Sequence, residues 1–156
     1  MIAIPCSCEI CKKRAQAVSQ SVAMVFKNCI DKTTLQNTSY RKVLHTTPQM
    51  QLVVVSLKPG EEISLEVHAH TTQFIRVERG GVCVRSATTD DCVYDGVSNG
   101  NVIPCFRKHR LEAGDSITIP PKTLHTVVAQ ETGAKLYTIY SPPVHPPGTI
   151  QRSPLE

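Results

Sequence analysis

Glu66, His68 and His70 stand two residues apart in the stretch Pro59-Gly-Glu-Glu-Ile-Ser-Leu-Glu-Val-His-Ala-His. The segment reads as a strand, and alternation along a strand turns all three side chains to one face. Imidazole nitrogens and carboxylate oxygens are ligand atoms for first-row divalent ions. No single strand surrounds an ion, so further donors have to arrive from other elements. Two are at hand. Gln73 opens a second apolar-alternating run that closes at Gly80-Gly81, and His125 follows a strand-like segment at 115–119 and the pair Pro120-Pro121.

The cysteines offer a second metal reading. Cys6, Cys8, Cys11 and Cys29 have the donor type for a tetrahedral zinc site, but they contain one Cys-x2-Cys knuckle where such sites usually have two. Free thiols are the expectation. Cys92 and Cys105 flank a long excursion and are close enough in sequence to approach each other. The total of seven is odd, which disfavours a fully paired disulfide framework. No Ser, His and Asp order and no Gly-rich phosphate loop stands out.

Elements that position these residues follow from composition and pattern. A chain of 156 residues, 40% of them hydrophobic, is enough for one domain with a sizeable core. Trp is absent and aromatics make up 4%, so that core has to be built from Val, Ile and Leu. Eleven prolines and eight glycines between β-branched runs predict many short strands joined by turns. Those strands are Gln51–Leu57, Ile63–His68, Gln73–Arg79, Val82–Arg85, Ser116–Ile119, Thr126–Ala129 and Lys135–Tyr140, with a long excursion over 87–110. The segment Ser-Pro-Pro-Val-His-Pro-Pro-Gly at 141–148 predicts extended polyproline-like chain without ladder bonds. Before the β region, Cys11, Ala15, Val18, Val22, Val25 and Cys29 recur at helical spacing and predict an amphipathic helix over 9–30.

The net charge of +4 is modest. Its two basic clusters, Lys12-Lys13-Arg14 and Arg107-Lys108-His109-Arg110, read as solvated segments, so no nucleic-acid partner is expected. The first residues show neither the charged nor the apolar region of a secretory signal, and no run approaches the length of a membrane span. A cytoplasmic protein is the expectation.

With these residues in view, the chain resembles the cupin superfamily, over roughly residues 37–150. The family's second motif is matched by Gly114, five residues, Pro120, then Lys122 in place of Gly, then His125, with Ala129 in place of the final Asn. Its first motif fits when counted from the glycines: Gly60, five residues, Glu66-x-His68, four residues, Gln73, six residues, Gly80. The visible pair His68-x-His70 does not fit those slots, because it would put Phe74 or Ile75 where a carboxylate belongs. In the preferred register Glu66 stands for the first His of the motif and Gln73 for its Glu. The flanking stretches Gln73-Phe-Ile-Arg-Val-Glu and Leu136-Tyr-Thr-Ile-Tyr-Ser-Pro-Pro are similar to small single-domain cupins, some labelled mannose-6-phosphate isomerase-like.

The resemblance implies an all-β fold, a cupin-type antiparallel β-barrel (jelly roll, or double-stranded β-helix), with an added N-terminal amphipathic helix. It implies a Cys-rich segment and helix over 1–36, a barrel over 37–150 and a tail over 151–156. Glu66, His68, Gln73 and His125 are the implied ligands of a divalent Fe, Mn or Zn ion, and the exchange of one imidazole for oxygen donors favours such harder ions. His70 is an alternate metal or ligand contact, a hydrogen-bonding group at the barrel mouth, or a solvated loop histidine. The functional expectation is small-molecule binding at the metal, with isomerase- or oxygenase-like chemistry, in a homodimer. The alternative is a non-catalytic jelly-roll module for binding or assembly.

Overall fold

The structure is a computed structural model and describes residues 25–88, 92–94 and 102–156, with backbone alone for 92–94 and 102–104. Alternating and β-branched runs become strands β1 (Arg41–Thr46), β2 (Gln51–Leu57), β3 (Glu62–Glu66), β4 (Thr72–Ala87), β5 (Cys92–Tyr94), β6 (Val102–Pro104), β7 (Arg107–Glu112), β8 (Ser116–Ile119), β9 (Leu124–Ser141) and β10 (Ile150–Gln151). All pairings are antiparallel, in the order β10-β1-β2-β9-β4-β7, with β3 on β9 and β8 on β4. Strands β5 and β6 form a separate ribbon.

The two longest strands shape the barrel. β4 pairs with β9 from Thr72↔Ser141 to Ala87↔Leu124, and the register shifts between Val77 and Val82. The first half of β4 lies beside β8 and its second half beside β7, while β9 changes partner from β3 to β2. Both long strands thereby run through the two halves of one folded sheet. Sequence reading separates Gln73–Arg79 from Val82–Arg85 at Gly80-Gly81, and Thr126–Ala129 from Lys135–Tyr140; both breaks are bends inside continuous strands. The cause is a close backbone crossing. Gly80 has φ +74, and a Cβ on it would lie 1.9 Å from the Gly133 carbonyl oxygen. Glycine at position 80 lets the bent strands meet there, and Gly133 (φ +70) needs glycine for its own crowding, a Cβ on it lying 2.7 Å from the Leu57 carbonyl oxygen.

Inside the fold, cross-strand rows are aliphatic at one end and polar at the other. Val55, Leu136 and Val77 form one row, and Val53, Thr138 and Ile75 the next. The following row is Gln51, Tyr140 and Gln73, all fully buried. Val54 points to the opposite face and is nonetheless buried, because helix α1 (Ile30–Gln36) covers β2 there. Lys135 Nζ donates to the carbonyl of Asn37, at the end of α1, and to Ser56 Oγ at 2.6 Å, which fastens the helix to β2 and β9.

Other expectations need correcting. The helix over 9–30 falls mostly outside the described residues; residues 25–29 are not helical, and the helix that is present begins at Ile30. Its short length and β-branched content make it dependent on the sheet beneath it. The excursion expected over 87–110 is shorter, because Arg107–Glu112 is β7, paired along Gly81–Ser86. The tail is anchored as well: Gln151 lies in β10 on β1, opposite Arg41. The proline-rich segment borrows its ladder from a side chain, since Gln51 Nε2 donates to the His145 carbonyl (2.8 Å) and the His145 N–H donates to Gln51 Oε1 (3.1 Å). Cys29 and Cys105 are exposed free thiols and Cys83 is half-buried; Cys6, Cys8 and Cys11 lie outside the described residues.

Candidate metal centre

The barrel mouth gathers four of the five residues singled out from sequence. Glu66, the last residue of β3, sits directly across from His125 near the start of β9. His68 lies in the connection from β3 to β4, and Gln73 is the second residue of β4. The Lys122 N–H donates to the His68 carbonyl at 2.7 Å, tying that connection to the turn before His125. Lys122 occupies the slot where the motif has glycine, and its φ of +64 shows why glycine is usual there. His70 sits on an exposed bend away from these groups.

Glu66, His68 and His125 each offer a ligand atom, and the three atoms all lie within 4.8 Å of one another. Glu66 Oε1 is 3.4 Å from His68 Nε2 and 3.4 Å from His125 Nε2. Both separations are too long for good hydrogen bonds. Glu66 Oε1 and His68 Nε2 are accordingly sealed from solvent without a hydrogen-bond partner. Gln73 Oε1 lies 2.8 Å from His125 Nε2. For donors about 2.0–2.1 Å from a common ion, neighbouring donors are about 2.9–3.4 Å apart. The two 3.4 Å separations match that range and the 2.8 Å one falls just below it, so the residues present fit a divalent cation.

Surrounding contacts set the proton positions. His125 is buried and its Nδ1 donates to the Thr123 carbonyl at 2.8 Å, which leaves Nε2 with a lone pair turned to the centre. Gln73 Nε2 donates to Tyr140 Oη at 3.1 Å, which turns Gln73 Oε1 toward the same lone pair. Two acceptors 2.8 Å apart repel each other unless a cation or a proton lies between them. Burial pushes the Glu66 carboxyl up, but His125, His68 and Arg41 together outweigh it and hold the group below its ordinary range, so it is ionised at neutral pH. Burial raises the Tyr140 phenol well above its usual value and keeps it neutral.

Three members of this neighbourhood escaped the sequence reading. Tyr140 faces the His68 ring edge-on at 5.7 Å and the His145 ring at 5.1 Å. His145 has a buried Nε2 without a partner, and burial, reinforced by Arg41, pushes its pKa down to about 4. Arg41 belongs to β1, and its cross-strand neighbour Val55 is part of the core, so the side chain points inward. No local pattern marks these three: Tyr140 arrives through the pairing of β9 with β2 and β4, His145 through its backbone hydrogen bonds to Gln51, and Arg41 points inward from β1.

No protein-family profile matches the chain. The chain is 40% identical to the L612 protein of Acanthamoeba polyphaga mimivirus over 75% of its length and 65% of that protein's. It is 33% identical to YrkC of Bacillus subtilis over 80% of its length and 61% of that protein's. It therefore spans somewhat under two thirds of these curated relatives. The crystal structure of BH2720 from Bacillus halodurans superposes with a TM-score of 0.72 at 30% identity, covering 86% of this chain and 94% of that one. Oxalate decarboxylase of Bacillus subtilis shares the fold at 16% identity and a TM-score of 0.54, over 69% of this chain and 26% of that enzyme. The bent antiparallel strands, the glycine-anchored motifs and the cupin-fold neighbours agree, and the chain belongs to the cupin superfamily as one of its small members.

Proposed function

We propose that this cupin holds a divalent ion at the barrel mouth through Glu66, His68, His125 and Gln73, and uses it to bind and act on a small molecule. One observation carries the reading: a buried carboxylate oxygen and a buried imidazole nitrogen face each other, neither with a hydrogen-bond partner. Buried polar atoms are rarely left so, because each costs about 1–3 kcal/mol. A divalent ion in this set supplies Lewis acidity toward an oxygen of the ligand.

The chain's own residues do the rest. Glu66 contributes one negative charge, His68 and His125 neutral nitrogens and Gln73 a neutral oxygen. Such a mixed set suits Fe(II), Mn(II) or Zn(II). Thr123 fixes the His125 tautomer through its carbonyl, and Tyr140 orients Gln73. His145, held neutral by burial, presents an unpartnered Nε2 beside Tyr140 as a polar group lining the mouth. His70, solvated on its bend, has no part in this.

Metal analysis of the purified protein beside the double variant His68→Ala/His125→Ala tests the proposal. About one equivalent of Fe, Mn or Zn per chain is expected in the parent and little in the variant. Equal metal in both contradicts it.

A further inference from the structure

The outer face of the half-sheet β3-β9-β4-β7 carries opposite charges on its two flanks. Register fixes which side chains lie there. Val82 of β4 pairs with Leu111 of β7 and Ala129 of β9, and all three are core residues, so their neighbours along each strand point outward. One cross-strand row on the outer face runs Glu62, Val128, Cys83 and Arg110. It has an anion at one end, a cation at the other and two half-buried uncharged side chains between them. The adjacent row sets Arg85 between Thr126 and Lys108. On the β3 flank, Leu65 and Val67 alternate with the inward Glu66 and His68 and are each more than half exposed. Glu62, Arg85, Lys108 and Arg110 are exposed, and among the described residues none of them makes an ion pair. Glu112, further along β7, is already held by Gln130 Nε2 at 3.1 Å. A groove of about 500 Å³ opens along Cys83, Arg85, Lys108 and Arg110, with Glu131 also lining it.

The order of these charges selects the partner. The ends of the row are three strand spacings apart, about 14 Å, so Glu62 and Arg110 do not pair within one chain. Two copies of the face, turned about a two-fold axis that runs along the strands between β9 and β4, place β3 of each copy on β7 of the other. The row then meets itself reversed. Glu62 comes to the partner's Arg110 and Val128 to the partner's Cys83, and symmetry makes each contact twice. The exposed Leu65 enters the groove that the cations leave open. A wholly acidic or wholly basic partner would match one flank and be repelled by the other. We infer that this outer face docks a second copy of the chain, with Glu62 of each copy on the partner's Arg110. Lys108 and Arg110, read from sequence as part of a solvated cluster, have a structural use in this contact. The inference is independent of the ion at the barrel mouth, which lies on the inner face.

Sedimentation of the full chain tests this, beside Glu62→Arg, Arg110→Glu and the exchanged variant Glu62→Arg/Arg110→Glu. The parent is expected to sediment as a dimer. Each single variant sets like charges against each other at both symmetric contacts and is expected to weaken association about tenfold or more. The exchanged variant restores opposite charges and is expected to regain most of that affinity. A second readout needs no substitution and serves where a variant does not fold. Alkylation of Cys83, followed by mass spectrometry of its peptide, is expected to slow about tenfold as the chain concentration rises through the dimer range. The exposed Cys29, next to the helix and outside this face, should keep its rate. A monomeric parent overturns the inference, as do single variants that associate like the parent. An exchanged variant no tighter than the single ones, or a Cys83 rate indifferent to concentration, overturns it too.

Discussion

Gln73 is the weakest donor at the centre and the most restrained one. It is fully buried, with its nitrogen donating to Tyr140 and its oxygen 2.8 Å from His125 Nε2. A neutral amide there lets the apo protein keep the residue buried, whereas a carboxylate in the same place would be a second buried anion beside Glu66. Gln73→Glu is therefore expected to act in opposite directions on the two states. The apo protein should melt about 5 °C lower or more, because a second carboxylate is desolvated beside Glu66. The loaded protein should bind divalent metal about tenfold more tightly, or about 1.4 kcal/mol. Scanning calorimetry with and without Mn(II) reads both effects, and a variant whose apo stability and metal response match the parent's would refute this account of Gln73. At this scale the sequence was informative where spacing is local. Counting from Gly60 and Gly80 singled out Glu66, His68 and Gln73 and set His70 aside, and the structure brings the first three together with His125 and leaves His70 exposed. Arg41, Tyr140 and His145 were not legible, because their proximity depends on which strands pair; Arg41 and its partner Gln151 are 110 residues apart.

Elements carry the site through their bends. Sequence punctuation suggested a turn at Gly80-Gly81, and the segments Thr126–Ala129 and Lys135–Tyr140 read as separate strands. A glycine that closes a hairpin and one that lets two long strands cross look alike in one dimension, and only the Gly80–Gly133 contact distinguishes them. That contact gives an element-scale prediction. Gly80→Ala should cost roughly 3–5 kcal/mol or prevent folding, because its φ is +74 and the added methyl would strike the Gly133 carbonyl oxygen. Gly60→Ala, at φ +72 in an open turn with nothing within 4 Å, should cost only about 1 kcal/mol. Urea unfolding compares the two; equal costs would mean that backbone conformation matters and the strand crossing does not. Short strands bounded by turn residues, such as the apolar run Gln51–Leu57 and Ser116–Ile119, were legible to the residue. β7 was not, since Arg107, Lys108 and Arg110 are exposed and only Leu111 is buried, so it has almost no apolar signal.

The whole molecule separates stability from chemistry. Aliphatic rows from Val53, Val55, Ile75, Val77 and Leu136 fill one end of the barrel, while the polar row and the ion-holding set occupy the other. Substitutions at His68, mostly buried but at the mouth, thus leave most of the core untouched. The described residues contain no helix long and apolar enough to cross a membrane. The relatives extend beyond the span matched here, so the activity of such longer chains is a separate matter from the site in this barrel. Under the proposed function, four side chains from β3, the β3–β4 connection, β4 and β9 hold one divalent ion. Anomalous diffraction from crystals of the Mn(II)-loaded protein, recorded on both sides of the manganese edge, tests it most directly. One strong peak is expected, bounded by Glu66 Oε1, His68 Nε2, His125 Nε2 and Gln73 Oε1. A peak at the cysteines or on His70, or none at the barrel mouth of fully loaded protein, would contradict it.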